Sequence, residues 1–361
     1  MNKQLLFFCP NILNDGLKTT LNIYLKYFSK YFDVCLITNT PGDKFFKGFK
    51  KKIKIINPKI KFFNNNNFLN IIFCTFLVFK NINKHTIVFS MHNHLLLLLS
   101  KYFVKNLKVI LRTPNAIMND KKNIEYRYLK KQVLFNNLFI NLYKNSDLIV
   151  TFSKKNQSYL SKKLQKKNVV HIYNYFKKHS GKKKIKKIYN VFFVGTLSFI
   201  KNPNFFLNNC IELLKKKKIK IHIVGDGPEK KQLLKISKNY QKYISFYNHV
   251  NEPFKKLSKN MDLICITSRY DGTPNVLGEA MSYNIPCVAP KGVGLCNILL
   301  KNGKFGHLYN AENNKSFKNK VLFALKNYKS SITKAQNGFN SLERFNLENT
   351  LGKLRKEINK I

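Results

Sequence analysis

Short apolar runs alternate with longer segments of helical period along almost the whole chain, and the alternation starts afresh half-way. Residues 4–9 (QLLFFC) read as a strand, 10–16 as a loop and 17–32 as a helix whose apolar positions recur at helical spacing. Further strands are expected at 33–38, 86–90, 108–111, 147–152 and 169–173. The second half restarts with a strand at 191–194, a helix over 203–215, a strand over 219–224 and a helix over 229–238. Strands at 263–267 and 286–289 follow. Strands separated by helices pair in parallel, because each helix returns the chain to the edge where the last strand began. The expected fold class is therefore α/β, with two parallel-sheet units. Two such units imply a cleft between them, the usual place for a small-molecule site. The length of 361 residues fits two domains at ~100–200 residues each. The lysine-rich run 177–187, with Ser180-Gly181, reads as a solvated linker, and the asparagine bead 64–67 as a loop.

Charge is the other unusual property. There are 66 Lys and Arg against 17 Asp and Glu, a net +49, which points first to nucleic acid or an anionic membrane. Only Arg112, Arg127, Arg269, Arg344 and Arg355 are arginine. A reader of nucleic acid would favour the planar arginine fork, which matches phosphates and guanine edges. Lys, Asn, Phe, Ile and Tyr are all abundant and all have A/T-rich codons, so most of the charge is assigned to genomic drift and no nucleic-acid partner is expected. The seven cysteines include no CxxC pair and mostly sit inside apolar runs, which suits buried hydrophobes in a reducing compartment. The longest apolar stretches, 68–79 and 95–104, fall short of the ~20 residues of a spanning helix. A cytoplasmic chain with at most peripheral membrane contact is expected.

The segment that carries most chemistry is 268–281, SRYDGTPNVLGEAM. A strand ends near Thr267, a Gly/Pro turn follows, and a helix begins near Asn275. The free N–H groups of such a turn and first helical turn, backed by the helix dipole, suit an anion such as a diphosphate. Glu279 falls about one turn into the helix, where a carboxylate accepts hydrogen bonds from sugar hydroxyls, and Asp271 sits at the mouth of the turn. An ordinary strand–turn–helix with a capping Asp would show the same residues.

That run resembles the signature of the retaining family-4 glycosyltransferases, which have the GT-B fold: an acidic residue, Gly, an aromatic, Pro, Asn and a helix bearing Glu in an E-x7-E pattern, here with Asp271 as the shorter first acid and Thr273 in the aromatic's place. Phe193-Val194-Gly195-Thr196-Leu197 with Lys201-Asn202-Pro203 is similar to the first strand and phosphate loop of that family's C-terminal domain. Ile223-Val224-Gly225-Asp226-Gly227-Pro228 is similar to its GxGP turn. DLICITS (262–268) and IPCVA (285–289) resemble the strands on either side of the signature. Ser146–Ser153 and Ile172-Tyr173-Asn174 resemble segments of the N-terminal domain.

The resemblance implies two Rossmann-like domains facing each other across a cleft: an acceptor-binding domain over 1–180, a nucleotide-sugar domain over 189–345, and a last helix, 346–361, returning to the first domain. It implies that Glu279 holds the nucleotide ribose, Asp271 contacts the donor sugar and Lys201 is a cation on the diphosphate, these three being the catalytic set. Gly272, Thr273, Pro274 and Asn275 would receive the sugar and diphosphate, and Gly195, Thr196, Gly225 and Arg269 would complete the donor site. Gly16 would line it from the other domain. No metal and no cofactor beyond the nucleotide-sugar is implied. Thr196 stands where the family usually has Arg, so Arg269 or Lys291 is expected to compensate. Asn248 stands where a Gly is usual, and is expected to adopt the left-handed backbone that Asn tolerates. Pro114 falls near the position of a catalytic-loop His found in many members.

His92 and His94, after a strand, and Arg112, at a strand end, are the expected acceptor-side residues, Arg112 through a bidentate contact with phosphate or carboxylate. The stretch 44–63 mixes lysines with Phe and Ile and is expected either to dock on anionic lipid or to be a solvent-facing helix and strand. The implied activity moves a hexose or N-acetylhexosamine from a nucleotide-sugar, UDP- rather than GDP-linked, to a lipid-linked glycan at the cytoplasmic face of the inner membrane. Surface polysaccharide, lipopolysaccharide or glycoprotein glycan would be the product. A nucleotide-sugar epimerase of the same fold, and a non-enzymatic basic protein binding membrane or nucleic acid, are the competing readings.

Overall fold

The computed structural model describes residues 3–12, 16–40, 48–49, 53–60, 63, 67–104, 106–113, 140–179, 181, 183–214 and 219–361. They form two compact units, Met1–Tyr173 with Leu347–Ile361, and Asn174–Asn346.

The first unit is built on seven parallel strands: β1 (Gln4–Phe8), β2 (Asp33–Ile37), β3 (Lys54–Ile56), β4 (Thr86–Ser90), β5 (Lys108–Thr113), β6 (Leu148–Thr151) and β7 (Val169–His171), in the order β3-β2-β1-β4-β5-β6-β7. β1 pairs on one side with β2 and on the other with β4, so Gln4 lies opposite both Asp33 and Thr86. Strand order reverses there, and such a reversal leaves a crevice at the carboxyl ends of the two strands. Leu5, Leu6, Phe7 and Phe8 are all buried because the sheet is covered on both faces, which is why β1 reads as a continuous apolar run. Leu5 and Phe7 pack with Leu21, Tyr24 and Phe28 of α1 (Gly16–Phe28). Leu6 and Phe8 share the opposite cluster with Cys74 and Val78 of α2 (Asn67–Asn81), Leu97 and Leu98 of α3 (Leu95–Ser100), and Leu160 and Leu164 of α4 (Lys154–Leu164).

The second unit has six parallel strands: β8 (Tyr189–Val194), β9 (Ile219–Val224), β10 (Ile244–Tyr247), β11 (Leu263–Cys265), β12 (Cys287–Lys291) and β13 (His307–Asn310), in the order β10-β9-β8-β11-β12-β13. The reversal here falls between β8 and β11. α5 (Pro203–Leu214), α6 (Lys230–Ser237), α7 (Asn275–Ser282), α8 (Asn314–Lys326) and α9 (Tyr328–Ser341) complete it. Val191 and Phe193 of β8 pack on Phe206 and Cys210 of α5, with Phe317 and Val321 of α8. The last helix, α10 (Lys353–Asn359), puts Leu354 and Ile358 into the α1-side core of the first unit. There Arg355 lies 3.9 Å over the Tyr31 ring.

Several expectations shift in detail. The first helix ends at Phe28, four residues early, and the chain turns through residues 29–32 before β2. The run 177–187 is not a free linker. It lies within the second unit, where Lys183 donates to the carbonyls of Ser258 and Met261, and Lys186 pairs with the buried Asp262 at 2.7 Å. The seven cysteines are buried and unpaired. Pro114, residues 64–66 of the asparagine bead and most of the lysine-rich segment 44–52 lie outside the described residues.

Candidate functional site

Two strand–loop–helix connections meet at the β8/β11 reversal of the second unit, one running from β8 into α5 and the other from β11 into α7. The first loop is held by backbone bonds. Gly195 N–H donates to Val224 O at 3.0 Å, and Leu197 N–H to Asp226 O at 2.8 Å. Gly225 has φ +146°, and a Cβ there would lie 1.9 Å from Gly195 O. Gly225 is therefore needed so that the two turns can touch, and it acts on the expected donor loop from behind rather than through a side of its own. The loop then tightens. Lys201 and Asn202 N–H both donate to Ser198 O at 3.0 Å, and Asn202 takes φ +55°. Thr267, just beyond β11, donates toward the carbonyls of Lys201 and Asn202, 3.1 Å from each. That bond ties the lysine loop to the root of the second loop.

The consequence is that Lys201 and Asp271, seventy residues apart, form an ion pair. Asp271 is the more enclosed partner, with a side chain 10% exposed against 33% for Lys201. The carboxylate holds one of the three ammonium protons, and two remain to meet another anion. Beyond Asp271 the chain turns through Gly272 and Thr273 to Pro274, which caps α7. Among the described residues nothing accepts the backbone N–H of Thr196, Gly272, Thr273 or Val276. The buried Thr273 hydroxyl likewise has no partner among them. Several unfilled donors around a helix N-terminus, with an ammonium beside them, make a cradle for a doubly charged anion.

Glu279 lies one turn further along α7. Its carboxyl accepts no hydrogen bond from the described residues, and burial lifts it from 4.5 to about 7. A desolvated carboxyl with open acceptor capacity suits hydroxyl groups. α7 itself is seated by Gly278, where a Cβ would stand 2.2 Å from the Phe176 ring.

The structure gives two residues of the expected set other partners. Arg269 is engaged elsewhere. Its Nε donates to Glu312 Oε1 at 2.9 Å, its Nη1 to Phe199 O at 2.7 Å, and its guanidinium lies 4.0 Å over the Phe199 ring. These contacts brace the lysine loop, and Thr196 is exposed at the turn after β8. Asn248 does not take the left-handed backbone, since it is not among the residues of positive φ; its side chain accepts from Lys230 Nζ at 2.8 Å instead. A residue with no assigned role proves to touch the site. The buried Asn174 donates from Nδ2 to Asn275 Oδ1 at 2.7 Å, which turns the Asn275 amide nitrogen away from it. A lone Asn in an extended segment has no periodic signal, so only its place in the Ile172-Tyr173-Asn174 motif marked it.

In the first unit, His92, His94 and Arg112 gather at the carboxyl ends of β4 and β5, beside that sheet's own reversal. Arg112 is buried, with its guanidinium 4.5 Å over the Phe152 ring. His94 Nδ1 lies 3.0 Å from Ser90 Oγ. Burial first, then the charges of His92 and Arg112, hold His94 down to about 3, and burial with Arg112 holds His92 at about 4. Both imidazoles are neutral at pH 7. Gly16 opens α1, and its carbonyl accepts from Thr20 Oγ1 at 2.8 Å. Among the described residues no three His, Cys, Asp or Glu side chains cluster as a metal would need. No helix among them is long and apolar enough to cross a membrane.

Comparison with known proteins gives the same frame. Residues 189–327 match the family model described as glycosyl transferases group 1. The amylovoran biosynthesis glycosyltransferase AmsD of Erwinia amylovora is 30% identical over 154 residues, 40% of this chain and 43% of that protein. The lipopolysaccharide 1,6-galactosyltransferase of Salmonella typhimurium is 32% identical over 94 residues, 25% of this chain and 26% of its own. The chain thus spans less than half the length of these curated relatives. Among solved structures, Anabaena HepE in complex with UDP and glucose superposes with a TM-score of 0.78 at 15% identity, covering 99% of this chain and all of that one. Staphylococcus aureus TarM, in complex with UDP and alpha-GlcNAc-glycerol among other ligands, gives 0.80 at 15%, with the same coverage. The fold is GT-B.

Proposed function

We propose that this chain, a GT-B protein whose residues 189–327 match the group 1 glycosyl transferases, is a retaining, metal-independent transferase. It would move a hexose or N-acetylhexosamine from a UDP-sugar to a lipid-linked saccharide at the cytoplasmic face of an anionic membrane. The observation that carries the reading is the pairing, at one switch point, of an anion cradle with a desolvated, unpartnered carboxyl: Lys201 with the amides of Thr196, Gly272, Thr273 and Val276, and Glu279 one turn along. A nucleoside diphosphate presents two anionic groups and a pair of ribose hydroxyls, which those features complement. UDP in HepE and TarM, and the polysaccharide and lipopolysaccharide roles of the curated relatives, support the donor and the class of product. The alpha-GlcNAc-glycerol held with UDP by TarM supports retention.

In this reading the bond from the anomeric carbon to the diphosphate oxygen breaks as the acceptor oxygen approaches the same face. The leaving diphosphate oxygen takes the acceptor's proton, so no separate base is required. Charge grows on that oxygen as the bond stretches. The Lys201 ammonium and the fixed amides at the α7 N-terminus stabilise it without having to reorganise, which is how such donors lower a barrier. Asp271 keeps Lys201 aimed and contacts the donor sugar, while Glu279 anchors the ribose and Asn174 holds Asn275 in its rotamer. His92, His94 and Arg112 would serve the acceptor, the two imidazoles as neutral hydrogen-bonding groups.

The test is transfer from UDP-glucose, UDP-galactose and UDP-N-acetylglucosamine to a lipid-linked saccharide extract, with the anomeric coupling of the product read by NMR. An alpha-linked product supports the assignment, and a beta-linked product refutes retention. An epimer formed from the donor alone would replace the transferase with an epimerase. Lys201→Met should lower kcat by 10²-fold or more, the scale of a lost transition-state donor. An unchanged kcat would remove Lys201 from the mechanism.

A further inference from the structure

Outside the site, the first unit carries a row of exposed apolar side chains. On α2 the side chains at Phe68, Ile72 and Phe76 recur every four residues and are 63%, 42% and 51% exposed. Spacing of four keeps them on one stripe, opposite Asn70, Cys74 and Val78, which face the sheet. Leu99 of α3 and the following Tyr102 and Phe103 are also exposed, Phe103 at 87%. Both helices pack on the same face of the sheet, through Cys74, Val78, Leu97 and Leu98, so their outer sides share that layer. Soluble proteins rarely leave this many large apolar side chains together in water unless something covers them.

Charge identifies the cover. Between Asp43 and Asp120 the sequence contains no acidic residue, and it contains 13 lysines and Arg112. Lys80 continues the α2 stripe one turn beyond Phe76, with its ammonium 4.6 Å over that ring, and Lys84 is exposed just past the helix end. Long lysine stems can lie along apolar surface while their heads reach phosphates. A second copy of this chain would set Lys80 and Lys84 against the same lysines, while Asp147 is already paired with Lys101. A bilayer with anionic headgroups supplies both a hydrocarbon boundary for Phe and Tyr and negative charge for the lysines.

We propose that the outer face of α2 and α3 is a membrane-docking surface for anionic lipid bilayers, with Phe68, Ile72, Phe76, Tyr102 and Phe103 entering the headgroup boundary and Lys80 and Lys84 on phosphates. It deepens the membrane element of the proposed function, and its test does not depend on transferase activity. It also places the contact on two helices outside 44–63, the segment the sequence suggested.

The chain has no tryptophan, so Phe103→Trp and Phe76→Trp each install a single fluorescent reporter. With full-length protein and vesicles of phosphatidylcholine and phosphatidylglycerol, both reporters should shift to the blue, and the protein should sediment with them. Pure phosphatidylcholine should give at least tenfold weaker binding, and 0.5 M salt should weaken the anionic interaction. The double variant Phe76→Glu/Phe103→Glu should lose tenfold or more in vesicle affinity while its thermal midpoint stays unchanged, since neither side chain is in a core. Unshifted reporters on protein that still sediments would move the docking surface elsewhere. Absence of sedimentation, a concentration-dependent dimer abolished by the double variant, or an RNA that displaces the vesicles at physiological salt would each overturn the proposal. Vesicle binding without sugar transfer would leave it standing and defeat only the transferase reading.

Discussion

Replacing Glu279 by Gln should make the second unit more stable at alkaline pH and, at the same time, unable to hold its donor. Burial raises the Glu279 carboxyl from 4.5 to about 7. The native state therefore keeps a proton that the unfolded chain releases between those values, and its stability falls as pH rises through that window. At ~1.4 kcal/mol per tenfold change in proton affinity, the full cost above neutrality approaches ~3 kcal/mol. The side chain is only partly enclosed, so water screens some of this and ~1–3 kcal/mol is the working range. Gln has nearly the same shape and nothing to ionise. The difference between variant and wild type should be near zero at pH 4.5, grow steadily, and level off above pH 7. In calorimetry the transition of the second unit would then rise by roughly 2–4 °C per kcal/mol at pH 8. Other titrating groups cancel, because only the difference between two proteins is read at each pH. A difference that stays flat from pH 4.5 to 8 would refute the desolvation of Glu279. A variant that gains the stability yet binds UDP-sugars as tightly as wild type would show that the strain has no functional return.

Three further outcomes follow from the geometry. Gly225→Ala puts a methyl 1.9 Å from Gly195 O at φ +146°, so the β8 loop must shift; a loss of ~2–4 kcal/mol in urea unfolding is expected, and a loss below ~0.5 kcal/mol would contradict the backbone contact. Asn174→Ala should raise the KM for donor several-fold while leaving the unfolding midpoint within about 2 °C, because it frees the Asn275 amide to rotate; equal KM values would reduce Asn174 to a structural residue. In the first unit His92, His94 and His171 are all held near pH 3–4, chiefly by burial, so the native state binds fewer protons than the unfolded one below pH 6.5. Its stability is complete above pH 6.5 and should fall by up to ~4 kcal/mol per pH unit as the pH drops through 6 to 5. An acid unfolding curve that is flat from pH 7 to 5 would contradict the buried neutral imidazoles.

The sequence made the doubly wound pattern visible because central strands buried on both faces leave uninterrupted apolar runs, as at Leu5–Phe8 and Val191–Val194. It hid α2, whose exposed Phe68, Ile72 and Phe76 spread apolar side chains round the helix and erase its amphipathic period. A short edge strand such as β10 gave a run too brief to stand out. At the site, the segment from Asp271 to Glu279 and the lysine loop were legible because glycine, proline and carboxylate positions carry their own local geometry. Long-range partners were not. Nothing in the chain before residue 312 foretells that Arg269 will be taken by Glu312, or that Asn174 will reach Asn275 a hundred residues on. The anchoring of Lys183 and Lys186 was equally invisible, since lysines in a polar run look solvated until a buried Asp262 is placed beside them.

In this reading the α7 N-terminus with Lys201 and Glu279 binds a nucleotide-sugar. Saturation-transfer NMR of the full chain with UDP-, GDP- and dTDP-sugars tests it without needing an acceptor. The ribose and anomeric protons of a UDP-sugar should be strongly saturated, with the effect lost in Glu279→Gln and weakened in Lys201→Met. Absence of saturation from every nucleotide-sugar, or an unchanged signal in both variants, would contradict it.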